Sequence, residues 1–244
     1  MRIDRFISNL ARFSRQDARQ LIAGGRLRID GRVVRDGRDE VRVFSRVELD
    51  DELLQAGKPA RYYMLHKPVG YLSSTVPSQH PTALELLPVD ERQDLHLAGR
   101  LDLNTSGLLL ITNDGRWSRR LSLPGSRLDK VYRVQTEQPI GSEYIEAFAR
   151  GLHFAYEDLV TLPAQLEILA PREARLTLHE GRYHQVKRMF GHFRNKVVGL
   201  HRERIGCLDL GDLSCGAWRP LSVHEVLQLQ PAGPADTPDD APSH

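Results

Sequence analysis

The stretch Gly99-Arg100-Leu101-Asp102-Leu103-Asn104-Thr105-Ser106-Gly107 runs straight into Leu108-Leu109-Leu110-Ile111. A polar loop holding one carboxylate, with a glycine at each end to let the backbone turn, thus abuts an apolar strand. A carboxylate presented on a loop beside a rigid strand suits a nucleophile or an electrostatic stabiliser. The same side chain could equally bond nearby amides in an Asx-turn, and the aspartate alone leaves both readings open. Lys130-Val131-Tyr132 puts a tyrosine on a strand, where its ring either fills core or offers a face for stacking. In Glu180-Gly181-Arg182-Tyr183-His184-Gln185-Val186-Lys187-Arg188-Met189-Phe190, Lys187 by itself reads as a solvated helix residue. Val186 and Leu200 by themselves read as core. His184 and His201 could act as bases, but nothing in the pattern requires either, and both stay outside the catalytic set. There is no phosphate-cradling glycine loop and no cluster with metal-ligand spacing, so neither a metal nor a cofactor is expected.

The chain of 244 residues, 40% hydrophobic and 27% charged, suits one or two soluble globular domains. Its net charge of +2 is nearly neutral, but the charge is uneven. Met1–Arg46 carries twelve arginines against six acidic residues, and Arg182–Arg204 carries seven lysines and arginines against Glu203 alone. Two separated basic stretches suit two contacts with one long polyanion; each alone could be a solvated face. Cys207 and Cys215 are too far apart for a metal pair and read as reduced thiols. No stretch has the pattern of a membrane span or signal peptide, so a cytoplasmic protein without membrane contact is expected.

These residues need elements to position them. Ile3, Phe6, Ile7 and Leu10 share one face of a short helix. Ser14 and Asp17 form a capping-box start for a second helix, which buries Ala18, Leu21 and Ile22 and ends at Gly24-Gly25. Arg12, Arg15 and Arg19 fall on its other side. Asp30-Gly31 turns a hairpin between Arg26–Ile29 and Gly31–Val34, and Val41–Val43 and Val47–Leu49 follow as strands. Residues 51–61, with Gly57 and Pro59, read as a linker. Beyond it, strands are expected at Tyr62–Leu65, Tyr71–Thr75, Leu108–Thr112, Lys130–Thr136, Ala164–Ile168, Arg175–Leu178 and Val197–Leu200. Helices are expected at Thr82–Leu87, Gly115–Leu121, Ser142–Arg150, Tyr183–Phe193 and Val223–Leu229. The irregular rhythm predicts an α+β domain over 62–230, a mixed or antiparallel sheet with helices to one side. The tail 231–244, rich in Pro, Ala and Asp, is expected to be disordered.

Taken together, the Gly99–Gly107, Lys130–Tyr132 and Glu180–Phe190 stretches resemble, in order and spacing, the three motifs of the pseudouridine synthases. Arg61-Tyr62 to His66-Lys67-Pro68 and Val197 to Gly206 resemble the branch that modifies the small ribosomal subunit. Residues 1–50 resemble the alpha-L RNA-binding module shared with a small-subunit ribosomal protein. The resemblance implies a mixed, mostly antiparallel central sheet flanked by helices. It implies Asp102 as the catalytic carboxylate, ion-paired by Lys187, where most other branches carry arginine. Tyr132 would stack on the target base, Val186 and Leu200 would wall the uracil pocket, and Arg100 would occupy the space the base leaves, though by its charge alone it could equally contact a phosphate. Arg15, Arg19, Arg26 and Arg28 would touch phosphates. The implied substrate is ribosomal RNA, of the small subunit or alternatively the large, acted on by a monomer. A non-catalytic RNA-binding assembly protein is the rival from another class.

Overall fold

In the computed structural model, which describes residues 1–76, 78–122, 126 and 128–229, the chain divides into two units, Met1–Ala60 and Arg61–His244. The first begins with α1 (Ile3–Ser8) and α2 (Arg15–Ala23). Both halves of the capping box are formed: Asp17 N donates to Ser14 Oγ at 3.1 Å and Ser14 N to Asp17 Oδ2 at 2.8 Å. Ile3, Ile7, Ala18, Leu21 and Ile22 are buried in one cluster with Leu27, Val47 and Leu49. Beneath lie β1 (Leu27–Ile29), β2 (Arg32–Val33), β3 (Val47–Leu49) and β4 (Glu52–Gln55), in the order β2-β1-β3-β4. Asp30 and Gly31, both at positive φ, make the predicted turn.

Two expectations fail in this unit. Val41–Val43 is not a strand, because Val41 N goes to Met1 O and Val43 O accepts from Lys58 N. The first half of the expected linker 51–61 is structured: β4 pairs with β3, Leu49 opposite Glu52, through a tight turn with Asp50 at φ 52. An edge strand this short and polar has the composition of a loop. The connection shrinks to 56–60.

The second unit contains β5 (Tyr62–Lys67), β6 (His96–Leu97), β7 (Ser106–Thr112) and α3 (Gly115–Ser122). Next come β8 (Lys130–Thr136), α4 (Glu143–Arg150) and a small hairpin, β9 (His153–Phe154) with β10 (Leu159–Val160). Then follow β11 (Gln165–Ala170), β12 (Glu173–Leu178), α5 (Gln185–Gly191), β13 (Val197–Ile205), β14 (Leu208–Asp209), β15 (Trp218–Pro220) and α6 (Val223–Gln228). The main sheet runs β11-β12-β8-β13-β7-β5-β15, with β14 on β13 and β6 on β7. Its pairings are antiparallel except β13 with β7, so the sheet is mixed and mostly antiparallel.

Helices cover both faces, not one. Tyr144 and Phe148 of α4 and Met189 and Phe190 of α5 pack with Leu65, Leu109 and Ile111. Trp117 and Leu121 of α3 and Val226 of α6 pack with Met64, Leu108 and Leu110. A strand buried on both sides is apolar at every position, which explains the unbroken Leu108–Ile111 run. Tyr71–Thr75 forms no strand; Leu72 makes one bridge to Thr82, and Ser73 turns to the loop described below. Thr82–Leu87 tightens to one 3-10 turn, Ala83–Leu86. The tail 231–244 lies outside the described residues.

Candidate active site

The Asp102 loop is fixed from below by a lysine. Lys67, at the end of β5, is fully buried, and its ammonium donates to Thr105 O at 2.7 Å, Pro68 O at 2.9 Å and Asp102 O at 3.2 Å. Burial pushes its pKa down to about 8, the nearby Asp102 carboxylate opposing and the Arg202 guanidinium adding to the shift. Ser73 Oγ accepts from Leu101 N at 3.0 Å and donates to Leu101 O at 2.8 Å, holding the residue before Asp102. The loop joins β7 at Gly107, φ +113, where a Cβ would run into the Arg202 backbone of the neighbouring strand. Only glycine fits there.

The parallel pairing of β13 with β7, His201 opposite Ser106 and Arg202 opposite Gly107, accounts for the meeting of distant residues. Segments preceding two parallel neighbours emerge at the same end of the sheet. The Asp102 loop precedes β7, and α5 precedes β13. Lys187 Nζ thereby reaches Asp102 Oδ2 at 2.7 Å. His184 Nε2 lies 3.4 Å from the other oxygen, Oδ1. Among the described residues no backbone amide donates to this carboxylate, so the Asx-turn reading does not hold. The side chain is 29% exposed and faces a pocket.

Tyr132, Val186 and Leu200, all buried, wall that pocket, and exposed Arg100 sits at its rim. Arg202, also buried, crosses behind it: Nε donates to Leu108 O at 2.8 Å, and Nη1 lies 3.4 Å from both Arg100 O and the Tyr132 hydroxyl. Its Nη2 is buried without a partner. Lys130, also largely out of solvent, donates to Leu128 O at 3.0 Å; desolvation first, then the charge of Arg202, pushes its pKa down to about 8.

The helix bearing Lys187 starts two residues later than expected, because His184 adopts a left-handed conformation with φ 49. A buried carboxylate fixes this turn. Glu180 accepts from Leu162 N at 2.9 Å, Gln185 Nε2 at 2.8 Å and Arg182 Nε at 2.8 Å. Gln185 Oε1 in turn accepts from Arg182 N at 3.0 Å.

The structure therefore brings Asp102, Tyr132, Lys187, Arg100, Val186 and Leu200 to one pocket. Arg15 and Arg19 belong to the first unit, where both are exposed and carry no ion pair among the described residues. Arg26, by contrast, is paired with Asp50 at 2.5 Å. The second basic stretch does not form one continuous basic face. Arg182, Lys187 and Arg188 are paired with Glu180, Asp102 and Glu157, Arg202 is buried, and Arg194, Lys196 and Arg204 remain exposed. Sequence reasoning missed His184 as a neighbour of the carboxylate, and Lys67 and Arg202 as the cations that hold the backbone around it. Cys207 and Cys215 are exposed free thiols. Among the described residues no helix is long and apolar enough to cross a membrane.

The RNA pseudouridylate synthase family matches residues 61–192, and the S4 domain matches residues 1–47. The chain belongs to the RNA pseudouridylate synthases and carries an S4 domain ahead of the catalytic one. Its relatives narrow the branch. It is 70% identical over 231 residues to the ribosomal small subunit pseudouridine synthase A of Pseudomonas aeruginosa, covering 94% of this chain and all of that one. To the protein of the same name from Escherichia coli it is 44% identical over 230 residues, again 94% of this chain and 100% of the other. A crystal structure of a pseudouridylate synthase superposes with a TM-score of 0.68 at 39% identity, over 94% of this chain and 99% of the other.

Proposed function

We propose that this chain isomerises a uridine of small-subunit ribosomal RNA to pseudouridine, with Asp102 as the catalytic carboxylate. The observation that carries this reading is a carboxylate open to a pocket walled in part by Tyr132, Val186 and Leu200 and ion-paired at 2.7 Å by Lys187. The reaction breaks the N1–C1′ bond, turns the base and joins C5 to C1′; a proton leaves C5 and one is taken up at N1. It is redox-neutral. Asp102 attacks or stabilises the electron-poor centre, and Lys187, 2.7 Å away, holds the carboxylate in place. The Tyr132 ring lies against the base, and Val186 and Leu200 exclude water from it. A uridine paired in a helix cannot reach this depth, so the target is flipped out or already unpaired. Arg100 at the rim is placed to fill the gap. The S4 domain, with Arg15 and Arg19 exposed, supplies phosphate contacts that hold the RNA without reading its sequence. The names of the relatives support the small subunit as the source of that RNA.

The test is tritium release from ribosomal RNA labelled at uridine C5, with small-subunit and large-subunit precursors supplied separately. Wild type is expected to release label from the small-subunit precursor, and Asp102→Asn to fall by roughly 10³-fold or more. Equal release by Asp102→Asn removes the carboxylate from the mechanism. Release only from the large-subunit precursor moves the substrate.

A further inference from the structure

On the pocket rim, the chain displays an aromatic ring with no structural use. Tyr183 is 76% exposed, and its hydroxyl has no partner among the described residues. Its ring lies flat on His184, centroids 3.9 Å apart and planes 21° from parallel. His184 in turn stands 3.4 Å from the Asp102 carboxylate, so the stacked pair begins where the target pocket ends. This placement is imposed rather than incidental. His184 is held in a left-handed conformation that side-chain-bearing residues rarely adopt, and the buried Glu180–Gln185 contact locks the turn. Strain maintained by a buried network beside an active carboxylate indicates that the displayed group has a task.

We infer that the Tyr183–His184 pair is a stacking platform for an unpaired nucleobase next to the target uridine in the RNA strand. The inference rests on the proposed function above. A flipped uridine leaves its neighbour without a stacking partner on one side, and an exposed aromatic face within one nucleotide's reach replaces that partner. The groove that Tyr183 and His184 line also contains the exposed Arg100, whose charge suits a phosphodiester beside such a base. An apolar peptide would meet this cation with nothing to neutralise it. A strand of RNA brings its own anions.

The experiment uses the full chain and a short single-stranded RNA with one uridine and 2-aminopurine on one or the other side of it. Wild type is expected to quench the 2-aminopurine at one of the two positions on binding. Tyr183→Leu loses the quenching and binds about tenfold more weakly, while Tyr183→Phe retains both; an unchanged melting curve shows that the fold survives. Making the neighbour abasic should weaken wild type by the same factor and leave Tyr183→Leu unaffected, because the two changes remove one contact. Absence of quenching at both positions, or losses that simply add, overturns the platform. Tritium release by wild type from ribosomal RNA is measured in parallel. If wild type releases none from either subunit's precursor, the proposed function has failed; if it turns over normally and the quenching result is negative, only the platform has.

Discussion

The two units use cations in opposite ways. In the first, arginines stand on the surface: Arg12 pairs with Glu52, Arg26 with Asp50 and Arg46 with Glu48, all in solvent, while Arg15 and Arg19 pair with nothing among the described residues. Exposed pairs of this kind contribute little to stability and exchange easily for a phosphate. In the second, Lys67 and Arg202 are buried around the Asp102 loop and donate mostly to backbone carbonyls. A buried cation satisfied by several carbonyls fixes where backbone segments lie; one of these fixes where Asp102 lies. On the proposed function, surface charge sets affinity for RNA. Interior charge sets geometry.

The sharpest way to break that contrast is at the strand junction. Gly107→Ala puts a methyl into the Arg202 backbone at a positive φ, and is expected to cost roughly 2–3 kcal/mol or more of stability and most of the turnover. Chemical denaturation with tritium release measures both; a stable, active variant would show that the junction tolerates more than its packing suggests. Next comes Lys67→Met, which strips three carbonyls of their donor and is expected to lower stability by roughly 2–4 kcal/mol and turnover by roughly 100-fold, with RNA affinity nearly unchanged. The pH dependence sharpens it. With the folded pKa pushed below its ordinary value to about 8, the unfolded chain binds more protons than the folded one between about pH 8 and 10.5. Stability from this residue therefore rises with pH across that window, and below it the full cost of burying the charge is present. Denaturation of wild type against Lys67→Met from neutral to alkaline pH should show the difference shifting in favour of wild type; a flat difference would mean that Lys67 titrates normally. The smallest effect belongs to the surface. Arg15→Ala with Arg19→Ala should leave the melting curve unchanged and lower the slope of log affinity against log salt by roughly 0.7–0.9 per arginine. A loss of stability with no change of slope would turn these arginines into structural residues.

The same contrast governs what the sequence makes legible. Local signals held: the Ser14–Asp17 capping box, the Asp30-Gly31 turn, the bounds of β8 and the buried face of α2 follow from spacing within a few residues. The proximity of Asp102 and Lys187, 85 positions apart, has no local signature and was readable only through a motif. Lys67 falls within a motif, but nothing in the sequence marks it as a clamp, since a lysine ordinarily signals surface and no neighbour announces three carbonyl partners. β4 read as linker because two polar ends around Leu53-Leu54 resemble a loop until β3 supplies the pairing. The segment 71–75 reads as a strand because its hydroxyl-bearing residues suit one, whereas Ser73 spends its hydroxyl on the Asp102 loop. Helix α5 was expected too long because no residue type forecasts a left-handed histidine.

The position of β13 carries one more consequence, for synthesis. Among the described residues this strand alone joins the half of the sheet that bears Tyr132 to the half that the Asp102 loop enters. Until residues 197–205 emerge from the ribosome and slot between their neighbours, both halves have an unpaired edge where they will later meet, and Tyr132 and Asp102 have no fixed separation. The pocket is therefore assembled in a single late event and not piece by piece.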